Sequence, residues 1–193
     1  FMNEWQSLYE SKSGERGIFN RKSAQEKAAQ NGRRISDIDF GTNPCSEIIL
    51  RPNQFCNLTE VVCRPFDDKN TLARKVRVAT LLGTIQATLT NFGYLRKRWR
   101  DNTEEERLLG VSLTGIMDCK LLNSSFQRLN YSAKIPYLDD TLSYLRNTAI
   151  STNKKWSEKL GINPSTAITC VKPSGTVSQL VDSASGIHTR HAP

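Results

Sequence analysis

Histidine is scarce in this 193-residue sequence: only His188 and His191 occur, both far along the chain from the cysteines at 45, 56 and 63. A cysteine nucleophile activated by an imidazole is therefore possible but has nothing local to support it. No run approaches eighteen apolar residues, so no membrane-spanning helix is read. There is no internal repeat and no low-complexity segment. The first sixteen residues, FMNEWQSLYESKSGER, hold no apolar stretch of the kind a secretory signal needs. The cysteines number five, an odd count without secretory context, which argues for a reducing cytoplasm and against a static disulfide framework. The sequence opens on Phe and stops at IHTRHAP with neither a helix cap nor a polar tail, so a piece of a longer polypeptide is expected.

What is present is ordinary for a folded domain. Apolar residues make up 37% and charged residues 24%, enough for one core at this length. Net charge is +8, from 27 basic and 19 acidic residues, a balance compatible with nucleic acid or small phosphorylated ligands. The densest basic run, Leu95–Arg100 (LRKRWR), is followed at once by DNTEEER. It reads as a surface turn with compensating charges. A basic nucleic-acid-binding module is the lesser reading, because no nucleic-acid motif is recognisable.

Periodicity predicts an α/β chain. Helices are expected over residues 1–14, over Arg21–Gly32 and over a long stretch from Asn70 to Gly93. In the last of these Leu72, Val76, Ala79, Leu82, Leu89 and Phe92 recur at three- and four-residue steps. A second long helix is expected from about Leu138 to Leu160, stopped by Gly161. Strands are expected at Asn57–Val62, Gly110–Ile116 and Thr166–Lys172, with a short strand core at EIIL and an extended GIFNR. Strands alternating with long helices argue for at least partly parallel pairing.

Three of the five cysteines fall within Thr42–Cys63. If Thr42–Glu47 is extended, Asn43, Cys45 and Glu47 line one face. A thiol flanked by an amide and a carboxylate is a compact reactive set. The carboxylate disfavours a thiolate, so Cys45 is a poor ionic nucleophile. Zinc through Cys45, Cys56 and Cys63 is disfavoured, since the spacers of ten and six residues exceed the usual two to four. Cys119 and Cys170 sit in apolar surroundings and read as buried inert thiols.

The stretch Asn43-Pro44-Cys45-Ser46-Glu47-Ile48, with Cys56-Asn57-Leu58-Thr59-Glu60 after it, resembles the active-site loop of the ribonucleotide reductases. The eleven-residue cysteine interval is most similar to the adenosylcobalamin-dependent class, in particular its monomeric triphosphate-reducing branch. SGERGIFNR (Ser13–Arg21), EEERLLGVSLTGIMD (Glu104–Asp118) and VKPSGTVSQLVDSASGIHTRH (Val171–His191) resemble the same family, in the same order.

The resemblance implies that Cys45 carries a thiyl radical abstracting the ribose 3′ hydrogen, so that no thiolate is required. It implies that Glu47 takes the 3′ hydroxyl proton, that Asn43 orients the ribose hydroxyls, and that Cys56 is one of two reducing thiols. It implies a ten-stranded α/β barrel, of which residues 1–193 would supply part of the second half. The finger loop would lie at about 42–56. The family's effector region, first half-barrel and C-terminal cysteine pair have no counterpart in the sequence.

A second stretch, Lys172–Leu180 (KPSGTVSQL), has the composition of an anion cradle: a tight Pro-Gly turn, hydroxyls, then a helix. By resemblance Ser174, Gly175 and Thr176 bind the substrate phosphates, within a turn at about 172–178. Lys172 is left open between this cradle and strand-end surface. The region Asp182–His191 would lie near substrate and radical-generating cofactor. The implied cofactor is adenosylcobalamin. The implied partners are a ribonucleoside triphosphate or diphosphate, thioredoxin or a similar dithiol, and the rest of the reductase chain. The implied activity serves DNA synthesis in the cytoplasm. Two alternatives stand: a fragment of a di-iron-dependent class I large subunit, and a noncatalytic split-gene or intein-flanked segment.

Overall fold

The computed structural model describes residues 1–13, 17–30, 32–123 and 136–190. Gly14–Arg16 of the SGERGIFNR stretch and His191 lie outside them. Two helices, α1 (Met2–Ser11) and α2 (Arg21–Ala29), lead into a short antiparallel hairpin of β1 (Gly41–Thr42) and β2 (Ile49–Leu50). Next come β3 (Asn57–Val62), α3 (Lys69–Gln86), α4 (Lys97–Glu106) and β4 (Leu109–Thr114). The chain closes with α5 (Pro136–Leu160) and the short α6 (Thr176–Leu180). The architecture is mixed α/β. Among the described residues the strands do not close into a barrel.

The parallel pair β3–β4 is the centre, in register from Asn57↔Leu109 to Val62↔Thr114. α3 crosses over between these strands and packs on them, and α5 packs on α3. Val61, Leu72, Val76, Val111, Leu145 and Ala149 form the core between these elements. α3 starts sharply because Asp68 and Thr71 cap each other reciprocally. The Asp68 carboxylate accepts from the Thr71 N–H (2.7 Å) and the Thr71 hydroxyl accepts from the Asp68 N–H (2.8 Å).

Four sequence expectations need correction. The long helix stops at Gln86, not Gly93. Arg107 donates to the Ala87 carbonyl (2.5 Å), and Phe92 turns away to pack edge-on against Phe55 (centroids 5.2 Å). The inward face is Leu72, Ala73, Val76, Ala79, Thr80 and Gly83, whereas Leu82 and Leu89 are exposed. The basic run is not a turn: α4 begins within it, and Lys97–Asp101 (3.6 Å) and Arg100–Glu104 (3.1 Å) pair along the helix. Arg21, the last residue of GIFNR, is not extended: it opens α2, while Asn20 before it is extended and caps that helix.

Residues 166–172 lie along the other side of β4 but pair only as a bridge, Val111↔Thr169. The N–H groups of Leu109 and Val111 donate to Ala167 and Ile168 (3.0 and 2.8 Å), and Cys170 donates to Val111 (3.1 Å). The ladder ends because the Lys172 N–H is diverted to the Ser112 hydroxyl (2.9 Å) and Pro173 has no N–H to give.

One ion pair ties the N-terminal part to this sheet. The Arg34 guanidinium meets both Glu106 oxygens (3.2 and 3.1 Å), with each side chain only 2% exposed. Gln54 donates to the same carboxylate (2.6 Å), and Arg34 also donates to the Ile49 carbonyl (2.7 Å). Removing one partner strands a buried charge. Arg34→Met is expected to cost about 3–5 kcal/mol in urea unfolding. The double replacement Arg34→Met with Glu106→Met should recover much of that loss.

Candidate active site

The hairpin β1–β2 presents the predicted loop. Asn43-Pro44-Cys45-Ser46 is a β-turn: the Ser46 N–H donates to the Asn43 carbonyl (3.0 Å) and Pro44 presets the second position. Ser46 then adopts a left-handed conformation, φ +64°. The Asn43 side-chain oxygen accepts from the Ile48 N–H (3.0 Å), bracing the loop from inside. The loop is thus turned, not extended as the sequence suggested. Strand alternation does not put Asn43, Cys45 and Glu47 on one face. Cys45 is exposed near the hairpin tip, and Glu47 folds inward at its base.

Glu47 is the buried charge of the site, its side chain 1% exposed. Its Oε1 accepts from the Lys172 ammonium at 3.1 Å, while Oε2 is buried with no hydrogen-bond partner among the described residues. Burial pushes this carboxyl up. The neighbouring Asn43 amide, its own backbone N–H and the Lys172 ammonium outweigh that, holding it below the usual glutamate range. Lys172 is pushed up in turn, chiefly by its bond to Glu47, and Cys45 lies near enough to add to the effect.

The remaining thiols divide in two. Cys63 and Cys119 are fully buried in the core. Burial, then the neighbouring Cys119 and Asp67, raise Cys63 to about 12. Cys56, at the entrance to β3, is half-buried. Its thiol is pushed strongly up by desolvation, then by Cys170 and Glu47, with Arg34 opposing. Cys170 is not as deeply buried as the sequence suggested. It is half-buried, raised to about 12 by burial and then by Glu47, and lies over Gly110 on β4. A Cβ at Gly110 would stand 2.4 Å from Leu58 Cδ2 and 3.1 Å from both Cys170 Sγ and Ile48 Cδ1. The missing side chain is what lets these three groups converge. Glu47 and Cys170 also line a cavity of about 630 Å³ with Lys27, Arg34, Arg146 and Ile187.

The predicted phosphate turn adjoins this site through Lys172. Ser174 is buried and its hydroxyl has no partner among the described residues, while Gly175 and Thr176 are exposed. The Ser174 carbonyl is gripped by the hydroxyls of Ser178 (2.6 Å) and Ser185. Gly186, at φ +52°, approaches so closely that a Cβ there would meet the Lys172 carbonyl at 2.8 Å. Arg190 clasps Asp118 (3.1 Å) and Asp182 (2.6 Å), anchoring the segment that follows α6. What sequence reasoning missed is the contact between Lys172 and Glu47. Strand alternation puts Cys170 and Lys172 on one face of their segment, but nothing in the sequence places Glu47 opposite them.

No family model matches the sequence. Curated relatives do. The adenosylcobalamin-dependent ribonucleoside-triphosphate reductase of Lactobacillus acidophilus is 33% identical over 174 residues, covering 82% of this chain and 23% of that protein. Its counterpart from Lacticaseibacillus paracasei is 30% identical over 200 residues, covering 94% of this chain and 26% of that protein. This chain is a partial homologue of these reductases. A crystal structure of a B12-dependent (class II) ribonucleotide reductase superposes with a TM-score of 0.64 at 26% identity, over 78% of this chain and 23% of that one. The chain spans about a quarter of the length of the curated relatives it matches.

Two outcomes follow for this part of the reductase family. Iodoacetamide at neutral pH should label Cys45 first, Cys56 and Cys170 at least about tenfold more slowly, and Cys63 and Cys119 only on unfolding, as read by peptide mass mapping. Glu47 has a buried carboxyl and Asp67 and Asp118 half-buried ones, and all three are held low by their partners. Depressed folded values mean stability that is complete above the ordinary carboxylate range and lost as pH falls through the folded values. Tm should therefore be level above about pH 5 and drop progressively below about pH 4.

Proposed function

We propose that this chain is the part of an adenosylcobalamin-dependent ribonucleoside-triphosphate reductase that holds the radical cysteine. Its residues would serve conversion of ribonucleotides to 2′-deoxyribonucleotides for DNA synthesis, in the cytoplasm, within the second half of a ten-stranded α/β barrel. The observation that carries this reading is the hairpin loop: an open thiol near its tip and a buried carboxylate at its base with one oxygen unpartnered. That division suits hydrogen-atom abstraction by one group and proton acceptance by another.

In this reading the Cys45 sulfur takes a hydrogen atom from the ribose 3′ carbon, breaking C–H and forming S–H. Glu47 Oε2 accepts the 3′ hydroxyl proton, which assists departure of the 2′ hydroxyl as water, its extra proton coming from one of the two reducing thiols. Asn43 orients the hydroxyls while its side-chain oxygen braces the loop. Cys56 supplies one of two reducing thiols and ends in a disulfide with a thiol from the rest of the enzyme. Thioredoxin or a similar dithiol would restore the pair. Ser174, Gly175 and Thr176 bind the substrate phosphates through hydroxyls and backbone amides. Adenosylcobalamin, when bound, would supply the radical that Cys45 carries, and the exposed position of that thiol fits such a donor.

A chimera tests the reading. This chain would replace its homologous quarter in the Lactobacillus acidophilus reductase, assayed with adenosylcobalamin, nucleoside triphosphate and dithiol. The chimera should form deoxynucleotide, Cys45→Ser should abolish it, and Glu47→Gln should lower kcat by about 10²–10⁴-fold. The isolated chain should form none. Deoxynucleotide from the isolated chain, or an active Cys45→Ser chimera, would sink the reading.

A further inference from the structure

The phosphate turn and the hairpin come from opposite ends of the chain, yet one contact joins them. Lys172 Nζ lies 3.1 Å from Glu47 Oε1, across 125 positions of sequence. Glu47 is almost wholly buried and Lys172 is about 30% exposed, so the carboxylate is fixed and the ammonium reaches in to it. The other carboxylate oxygen, Oε2, is buried without a hydrogen-bond partner among the described residues. A buried charged oxygen left unpaired is costly, and such an atom marks a place where a donor from outside the chain belongs.

We propose that Lys172 is the positioning residue of Glu47: its ammonium occupies Oε1 and leaves Oε2 as the one oxygen free to take a proton from substrate. This rests on Glu47 acting as the proton acceptor. When it does, the substrate O–H bond breaks, an O–H bond forms at Oε2, and no electrons change hands. Lys172 keeps its own proton throughout, so the pair passes from ion pair to neutral acid beside an ammonium. The arrangement also resolves a conflict within the loop. Burial alone would leave Glu47 protonated and unable to accept, whereas the Asn43 amide, its own backbone N–H and the Lys172 ammonium together keep it ionised in a dry setting.

Lys172 is itself held from two sides. Its N–H donates to Ser112 of β4 (2.9 Å), and the close approach of Gly186 backs its carbonyl. The other titratable or charged groups around Glu47 are Cys170 on the same segment as Lys172, Cys56 at the head of β3, and Cys45 in the hairpin turn. Lys27 of α2, Arg34, and Arg146 of α5 line the same cavity. Of the three cavity-lining cations none contacts Glu47 within ion-pair distance, and Arg34 is committed to Glu106.

The test is a carboxyl-¹³C NMR titration of the chain, with the Glu47 resonance assigned through Glu47→Gln. Lys172→Met should raise the Glu47 midpoint by roughly one pH unit or more, as loss of an adjacent opposite charge does. Lys172→Arg should return it most of the way. Lys75→Met, which breaks the separate Lys75–Asp67 pair (2.5 Å), should leave it in place and controls for general loosening of the fold. An unmoved midpoint in Lys172→Met, or an equal shift in the Arg and Met variants, overturns the proposal and leaves the functional reading untouched. In the chimeric reductase, the acid limb of the kcat/KM profile should move with the NMR midpoint. A moved midpoint with an unmoved acid limb would show that Glu47 is not the base, overturning the functional reading and the positioning role together.

Discussion

The buried pair between Arg34 and Glu106 is the constraint on which the rest depends. Each group alone would be a stranded charge in the interior, and together they satisfy one another only in one arrangement. Around that arrangement both halves of the site are hung. Arg34 and Gln54 fix β2 and the residues after it, and so the root of the hairpin that carries Cys45 and Glu47. The Glu106 carbonyl accepts from the Thr166 N–H (2.9 Å), which starts the segment leading to Cys170 and Lys172. An ion pair of this kind adds little net stability over a well-packed apolar equivalent. Its value here is that it fixes where two distant segments begin.

From those roots the site assembles groups of different character at different depths. The Cys45 thiol is open near a turn. The Glu47 carboxylate is buried. The thiols at 56 and 170 are half-buried, with protons held firmly by desolvation. A radical reaction tolerates protonated thiols where an ionic one would not, because hydrogen-atom transfer starts from S–H. The same environment that makes these cysteines poor nucleophiles therefore leaves them suited to the chemistry of the reductase relatives.

Much of this was legible in the sequence, for identifiable reasons. β3 matches its predicted bounds and β4 lies within a residue or two of them, because the alternation of NLTEVV and the short apolar run of LGVSLT are strand signals carried by the local sequence. Asn43, Cys45 and Glu47 stood out as a motif, and the structure places all three in one hairpin loop. Their arrangement was not legible. Strand alternation was read where Pro44 and Asn43 dictate a turn, so turn chemistry won over periodicity. The Arg34–Glu106 pair was hidden because NGRR and EEER look like any solvated charge run, and only tertiary contact distinguishes a buried arginine from an exposed one. The early end of α3 depends on Arg107 and Phe55, which approach from elsewhere in the chain. Lys172 stayed undecided for the same reason: its partner lies 125 positions away in the sequence.

Gly110 contributes nothing that can react, and yet the site is shaped around it. Three side chains from three separate segments occupy the volume that a methyl group on β4 would claim. Its role is subtractive. A larger residue there would not remove one interaction but would evict Leu58, Ile48 and Cys170 at once. A survey of the site by its polar groups would never find the position that decides whether they can assemble. Tolerance to change at this point is governed by free volume, not by charge, and it makes the middle of a buried strand as sensitive as the hairpin that carries the thiol.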